Sequence, residues 1–129
     1  MKLGIIVAEF NKDMTSRMLE VAEKTAKELG IETTVQWVPG VYDMPLQTKK
    51  MLPSVDAIAL LGVVKKGLTA HDVIVAENTA RLAADLSLEF NKPVALGIIG
   101  PDASLEVAQD RVDDYAERAV QAAHFLVNQ

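Results

Sequence analysis

Four short apolar runs alternate with longer stretches of helical pattern along this chain. The runs cover residues 3–8, 31–38, 55–64 and 93–99. Runs of this kind are typical of strands that are buried on both faces of a parallel sheet. Because a helical pattern follows each run, the sequence predicts a three-layer α/β domain. Its four-stranded parallel sheet is flanked by helices and joined by right-handed crossovers.

Capping and turn residues predict where the helices and strands end. Asp13 or Thr15 is placed to cap the first helix, and Ser104 to cap the last one. The turn sequence Gly100-Pro101-Asp102 is expected to close the fourth strand. Helices are expected over residues 14–29, 45–52, 73–88 and 104–127.

The amino-acid composition limits the classes of protein to which the chain can belong. With 129 residues, half of them apolar and 24% charged, the chain fits one globular domain with a substantial core. A net charge of −5 without a Lys/Arg block argues against a nucleic-acid partner. No run is long enough and free enough of charge to predict a membrane span. Cysteine is absent, which excludes disulfides and a thiol nucleophile and favours a cytoplasmic location.

Cofactor motifs are also missing. Neither GxxxxGK[ST] nor GxGxxG occurs, so ATP and NAD are not expected as ligands. No His, Asp and Glu residues have the spacing of a metal site. We therefore expect neither a metal nor an organic cofactor.

The chemistry is expected in residues 62–72, where a strand, a turn with two glycines and a helix start follow one another. Strand carboxyl ends and helix amino ends converge at such junctions. His71, at the helix start, suits proton transfer near neutral pH, although a surface histidine would look the same. Gly67, Leu68 and Thr69 can present N–H groups and a hydroxyl to a phosphate, or form a plain turn.

Other candidates lie outside that junction. Phe10 follows the first strand and can stack on a planar ring, or it can belong to the edge of the core. Asp43 can accept hydrogen bonds from substrate hydroxyls or cap a helix. Arg111 and Arg118 can pair with phosphate, or belong to a solvated charged face.

Three separated segments together resemble one family. Residues 5–11 (IIVAEFN), 38–45 (VPGVYDMP) and 62–72 (GVVKKGLTAHD) are similar to the signature regions of the 6,7-dimethyl-8-ribityllumazine synthases, and most similar to their short archaeal form. Residues 93–98 and 109–111 are similar to the family's fourth strand and last helix. The resemblance implies a flavodoxin-like fold and a cofactor-free condensation. Its two substrates are 5-amino-6-(D-ribitylamino)uracil and 3,4-dihydroxy-2-butanone 4-phosphate.

The resemblance also implies roles for individual residues. His71 would be the general acid/base. Phosphate would be held by Gly67, Leu68 and Thr69, and by Arg111 of a neighbouring subunit. The pyrimidine and its ribityl chain would be bound by Phe10, Asn11, Gly40, Val41, Tyr42, Asp43, Val63, Val64, Lys65, Leu96, Gly97 and Arg118. Asp43 stands where the family often has Glu, and Leu96 where an aromatic residue is frequent.

Family sites lie between adjacent subunits, so the resemblance implies a homo-oligomer, either a pentamer or a hollow shell of twelve pentamers. Five alanines of the last helix, which would allow close helix approach, point the same way: Ala108, Ala116, Ala119, Ala122 and Ala123. Three alternatives stay open. They are an archaeal-type riboflavin synthase, a non-catalytic flavin-binding or shell-forming protein, and a response regulator.

Overall fold

The computed structural model describes all residues, Met1–Gln129, as four strands and four helices. The strands are β1 (Lys2–Ala8), β2 (Glu32–Val38), β3 (Ala57–Lys65) and β4 (Val94–Ala103). The helices are α1 (Lys12–Glu28), α2 (Met44–Met51), α3 (His71–Phe90) and α4 (Leu105–Val127). Short 3-10 turns flank α2, at Val41–Asp43 and Leu52–Ser54.

All neighbouring strands pair in parallel, in the order β2-β1-β3-β4. The two central strands, β1 and β3, are almost wholly buried, which explains their continuous apolar sequences. The predicted four-stranded parallel sheet is confirmed.

Side chains of β1 alternate between two separate cores, one on each face of the sheet. Leu3, Ile5 and Val7 pack with the buried residues of α1 and α4. Ile6 and Ala8 pack on the other face, in a core to which α2 and α3 contribute. This alternation follows from the two-residue period of a strand and confirms the predicted three layers.

The predicted caps of α1 are wrong. Asn11, in the left-handed region at φ 64°, precedes the helix, and no side chain caps it. Asn adopts this region more readily than most residues. Thr15 is completely buried within α1, and its hydroxyl has no hydrogen-bond partner.

The predicted end of β4 is also wrong, because the strand continues through Gly100-Pro101-Asp102 to Ala103. Gly100 has φ 116°, a value that glycine tolerates and other residues rarely adopt. A Cβ there would also clash with the backbone carbonyl of Val64. An irregularity in β3 between Val63 and Lys65 lets pairing resume at Lys65 and Ala103.

Most of the alanines of α4 pack inside the subunit. Ala108, Ala116, Ala119 and Ala123 are buried in the core against the sheet, and only Ala122 is exposed. These four therefore provide no surface for self-association, and the argument from small residues was wrong. The homo-oligomer itself stays a prediction.

Candidate functional site

A cleft of about 420 Å³ lies at the carboxyl end of the sheet, between the tips of β1 and β3, the Val41–Asp43 turn and the start of α3. Its walls consist of Phe10, Gly40, Val41, Tyr42, Val63, Val64, Lys65, Lys66, Gly67, His71, Asp72 and Val75. Nine of the predicted site residues thus meet in one place. The convergence follows from the parallel topology, which brings strand ends and helix starts to the same edge.

The tip of β1 presents Phe10 to the cleft, and 71% of its surface is exposed. The Phe10 N–H donates to the carbonyl of Pro39 at 3.1 Å, which extends the pairing of β1 and β2 by one step. The Asn11 amide donates to the carbonyl of Val63 at 2.9 Å. Asn11 therefore joins the tips of β1 and β3 and fixes the backbone that carries the exposed ring.

Hydrogen bonds and close packing fix the Val41–Asp43 turn. The Asp43 carboxylate accepts from the N–H of Gly40 at 3.0 Å, and the buried Thr79 hydroxyl donates to the carbonyl of Val41 at 3.2 Å. A Cβ at Gly62 would lie only 2.5 Å from the Val41 side chain, so glycine is needed for the turn to lie on β3. Asp43 thus has a local structural role, while Tyr42 is left exposed beside the cleft.

The turn between β3 and α3, residues 66–70, is exposed throughout. The backbone N–H groups of residues 67–70 donate to no group in the chain. His71 is the first residue of α3, and its N–H donates to the Thr69 hydroxyl at 3.4 Å. Free N–H groups at a helix start favour an anion. The exposed imidazole of His71 lies directly beside them.

Two lysines reach this end of the sheet, but only one has an ionic partner. Lys66 forms an ion pair with Asp102 at 3.1 Å. Lys65 is half-buried in the cleft wall and forms no ion pair. Lys65 is therefore the lysine of the cleft wall whose charge no carboxylate of the chain offsets.

The sequence assigned no individual role to three residues of the cleft wall, Lys66, Asp72 and Val75, although the first two lie in the 62–72 segment. Asp72 is only 5% exposed, and its carboxylate accepts from the N–H of Asp102 at 2.8 Å. The buried stripe of α3 consists of Asp72, Val75, Ala76, Thr79 and Ala83. An acidic residue at helical spacing from apolar ones was the signal that could have identified Asp72.

The remaining predicted residues lie elsewhere in a single chain. Leu96 and Arg118 line a second cavity of about 340 Å³ between β4 and α4. Arg111 is exposed on α4. Gly97 is buried, and a Cβ there would lie 2.9 Å from the carbonyl oxygen of Leu60 and 3.2 Å from Ala119. Gly97 thus permits close packing of β4.

No helix combines the length and the apolar character that a membrane crossing requires. No cluster of three or more His, Asp or Glu side chains could hold a metal ion.

A model of the 6,7-dimethyl-8-ribityllumazine synthase family matches the whole chain, residues 1–129. The chain belongs to this family. A lumazine synthase of Saccharolobus islandicus is 55% identical over 98% of this chain and 84% of its own length. The lumazine synthase of Saccharolobus solfataricus is 54% identical over the same shares, and that of Methanococcus maripaludis 49% identical over 98% and 93%.

Membership in the lumazine synthase family confirms the resemblance drawn from residues 5–11, 38–45 and 62–72. It also confirms the predicted class of activity, a transferase of riboflavin biosynthesis. Nothing in these matches favours a riboflavin synthase or a non-catalytic protein. The roles of the individual residues stay predictions.

Proposed function

We propose that this chain condenses 5-amino-6-(D-ribitylamino)uracil with 3,4-dihydroxy-2-butanone 4-phosphate to 6,7-dimethyl-8-ribityllumazine, with release of phosphate and water. One observation carries the assignment of chemistry to the cleft. A single space of about 420 Å³ is bordered by an exposed aromatic ring, an exposed imidazole and a turn of free N–H groups. These three features match a planar pyrimidine, a series of proton transfers and a phosphate.

His71 is the proposed general acid/base. The amine of the pyrimidine attacks the ketone and forms an imine with loss of one water, phosphate then leaves by elimination, and the ring closes with loss of a second water. Each step moves a proton, and a neutral imidazole can accept and return one. No step requires a covalent enzyme intermediate, so much of the acceleration comes from holding two substrates in one orientation.

The phosphate of the four-carbon substrate is assigned to residues 66–70. The free N–H groups of Gly67, Leu68 and Thr69 provide donors at the positive end of the α3 dipole. The side chain of Leu68 is fully exposed and makes no core contact that would explain its position. Lys65 adds a cation without a competing carboxylate.

The pyrimidine is assigned to the opposite part of the cleft. Phe10 offers an exposed face for stacking, and Gly40, Val41 and Tyr42 line the space next to it. Apolar contact from Val63 and Val64 completes the wall. Asn11 contributes by joining the tips of β1 and β3, and Asp43 by fixing the Val41–Asp43 turn. Direct contact of either residue with the substrate would be a second role.

We also propose that the working enzyme is a homo-oligomer, a pentamer or a shell of twelve pentamers, located in the cytoplasm. In a single chain, the predicted substrate-binding residues lie in two separate places. One is the cleft, and the other is the surface formed by β4 and α4, with Leu96, Arg111 and Arg118. A neighbouring subunit that brought its β4–α4 surface to the cleft would complete the set, including a phosphate-binding arginine. Sedimentation of the purified protein as a monomer at micromolar concentration would exclude this arrangement.

The activity is tested by mixing the purified protein with both substrates. Absorbance of the lumazine chromophore and released phosphate are followed together, above the uncatalysed background. Their joint appearance is the expected result. If a folded protein produced neither, the proposed condensation would be wrong.

Incubation with the lumazine product alone separates this activity from the riboflavin synthase alternative. We expect no riboflavin to form. Accumulation of riboflavin would show that the chain catalyses the following reaction instead.

A further inference from the structure

Both ends of the exposed 66–70 turn are held by contacts with the end of β4. On one side, the Lys66 N–H donates to the carbonyl of Ala103 at 2.8 Å, and its ammonium group pairs with Asp102 at 3.1 Å. On the other side, the carboxylate of Asp72 accepts from the Asp102 N–H at 2.8 Å. We call Lys66, Asp72, Asp102 and Ala103 the clasp.

The clasp is attached to a rigid part of the sheet. Gly100 lies so close to the carbonyl of Val64 that no side chain would fit between them. Ser104, directly after the clasp, caps α4 by accepting from the Val107 N–H at 3.2 Å. The anchor for the 66–70 turn is therefore fixed on both sides.

The middle of the turn has little support of its own. Its side chains are exposed, its N–H groups at residues 67–70 have no acceptor, and no side chain caps α3. The one local contact, from the His71 N–H to the Thr69 hydroxyl, is long at 3.4 Å. The conformation of this turn thus depends mainly on its fastened ends.

Asp72 is the buried member of the clasp. At 5% exposure its carboxylate has almost no contact with water. The charge-assisted hydrogen bond from the Asp102 N–H is therefore its main polar contact. We propose that Asp72 is a positioning residue, which holds the start of α3 against β4 and keeps the N–H groups of residues 67–70 turned toward the phosphate. This inference rests on the proposed function for its substrate.

The decisive comparison is Asp72→Ala against Asp72→Asn. Asn keeps an oxygen that can accept from Asp102, whereas Ala removes the acceptor and leaves that N–H unpaired. We expect Asp72→Ala to raise the KM for the butanone phosphate about tenfold, the order expected from losing one such bond. The KM for the pyrimidine and kcat should change less. Asp72→Asn should restore the wild-type KM to within about twofold.

Ser87→Ala is a matched control at the other end of α3. The Ser87 hydroxyl donates to the carbonyl of Lys92 at 2.7 Å, so this variant also loses one side-chain bond that fastens the helix. We expect it to leave both KM values unchanged. If Asp72→Ala raised both KM values equally, or if Asn behaved like Ala, the positioning role would be wrong.

Hydrogen exchange provides a readout that does not require activity. The hydrogen-bonded amides on either side of the turn, those of Lys66 and Ile74, should exchange faster in Asp72→Ala than in the wild type and remain unchanged in Ser87→Ala. If Asp72→Ala does not fold, Asp72→Val replaces it, because valine also removes the acceptor.

Asp102→Asn tests the ion pair of the clasp separately. Its side chain is exposed, and Asn tolerates the φ of 62° at this position. This variant removes only the exposed ion pair with Lys66 and keeps the N–H that donates to Asp72, so exchange at Lys66 and Ile74 should stay close to that of the wild type. An effect as large as that of Asp72→Ala would show that the ion pair, and not Asp72, holds the turn.

The two proposals can fail separately. If the wild type formed no lumazine, the condensation would be wrong. Titration of wild type and Asp72→Ala with inorganic phosphate by calorimetry would then test the clasp. Weaker phosphate binding in the variant supports the positioning role, and equal binding in both proteins overturns it.

Discussion

Two of the cavities on this molecule, of about 420 and 340 Å³, are lined by predicted site residues, and their walls differ in chemistry. The cleft at the carboxyl end of the sheet combines apolar side chains with His71, two lysines and a buried carboxylate. The cavity between β4 and α4 is apolar except for Arg118. Only the cleft contains a group that can transfer protons near neutral pH, so the second cavity can add binding contacts but no general acid/base.

The difference follows from where each cavity lies in the fold. The cleft is formed where strand ends and a helix start converge, so backbone N–H groups and turn side chains face it. The β4–α4 cavity lies along the side of an edge strand, where the backbone is already used in pairing and in the helix. Only side chains are therefore available there to bind a ligand.

Loss of His71 should produce the largest effect. We expect His71→Ala to reduce kcat by about 10²–10⁴-fold without abolishing activity, because general acid/base catalysis contributes that order and substrate orientation remains. Arg118→Ala, in the second cavity, should raise KM with little change in kcat. Steady-state kinetics of both variants test the contrast. Full activity of His71→Ala would remove this residue from the mechanism.

Mixed oligomers test whether the two surfaces meet in the assembly. His71→Ala and Arg111→Ala damage different surfaces, so a neighbour can supply what each lacks. A complete site needs an intact His71 from one subunit and an intact Arg111 from its neighbour, and each occurs with a probability of about one half. Random reassembly of the two variants in equal amounts should therefore restore about a quarter of the wild-type sites. The activity is compared with the two variants kept separate. No gain after mixing would show that the site lies within one subunit.

Glycine-to-alanine substitutions distinguish a glycine required for close packing from one in an exposed turn. Gly97→Ala places a Cβ 2.8 Å from Leu61 and 2.9 Å from the carbonyl oxygen of Leu60, so we expect a loss of about 1–3 kcal/mol in the free energy of unfolding. Gly67→Ala is the control, because nothing lies within 4 Å of its added Cβ. Denaturant unfolding should show no comparable loss for Gly67→Ala. Equal stability of both variants would contradict the packing role of Gly97.

Sequence predicted the fold where local pattern and tertiary context agree. The central strands are apolar because both faces are buried, and this pattern revealed β1 and β3 directly. It failed at residues 100–102, where Gly and Pro indicated a turn but close contact with Val64 keeps the strand in the sheet. The position of Asn11, bonded to Val63 some fifty residues away, likewise depends on a contact that no local pattern shows.

The candidate site shows the same division. His71 and Phe10 were found because their residue types stand at strand and helix ends. The role of Asp72 was not predicted because its partner, the N–H of Asp102, comes from β4. The separation of Leu96 and Arg118 from the cleft also depends on the sheet order, which places β4 at an edge.

The smallest expected effect concerns the outer surface of α4, where a carboxylate is exposed instead of buried. Arg17 of α1 donates two hydrogen bonds of 2.9 Å to Asp113 of α4. Both side chains are more than half exposed, so solvent screens the pair and its contribution to stability is small. We expect Asp113→Asn to lower Tm by a few degrees at most and to leave both KM values unchanged.

The effect of Asp113→Asn should also depend on pH. The hydrogen bonds from Arg17 hold the pKa of Asp113 below its ordinary value of 3.8 in the folded protein. A lowered folded-state pKa means that the stabilisation is fully present above the unfolded value and is lost as the pH falls through the folded value. The Tm difference between wild type and Asp113→Asn should therefore persist at pH 7 and disappear at a pH well below 3.8. Asp114→Asn is the control, because it removes the same charge from a weaker pair with Arg118 at 3.5 Å. A Tm difference that did not change with pH would show that Asp113 stabilises α4 by packing, and not through its charge.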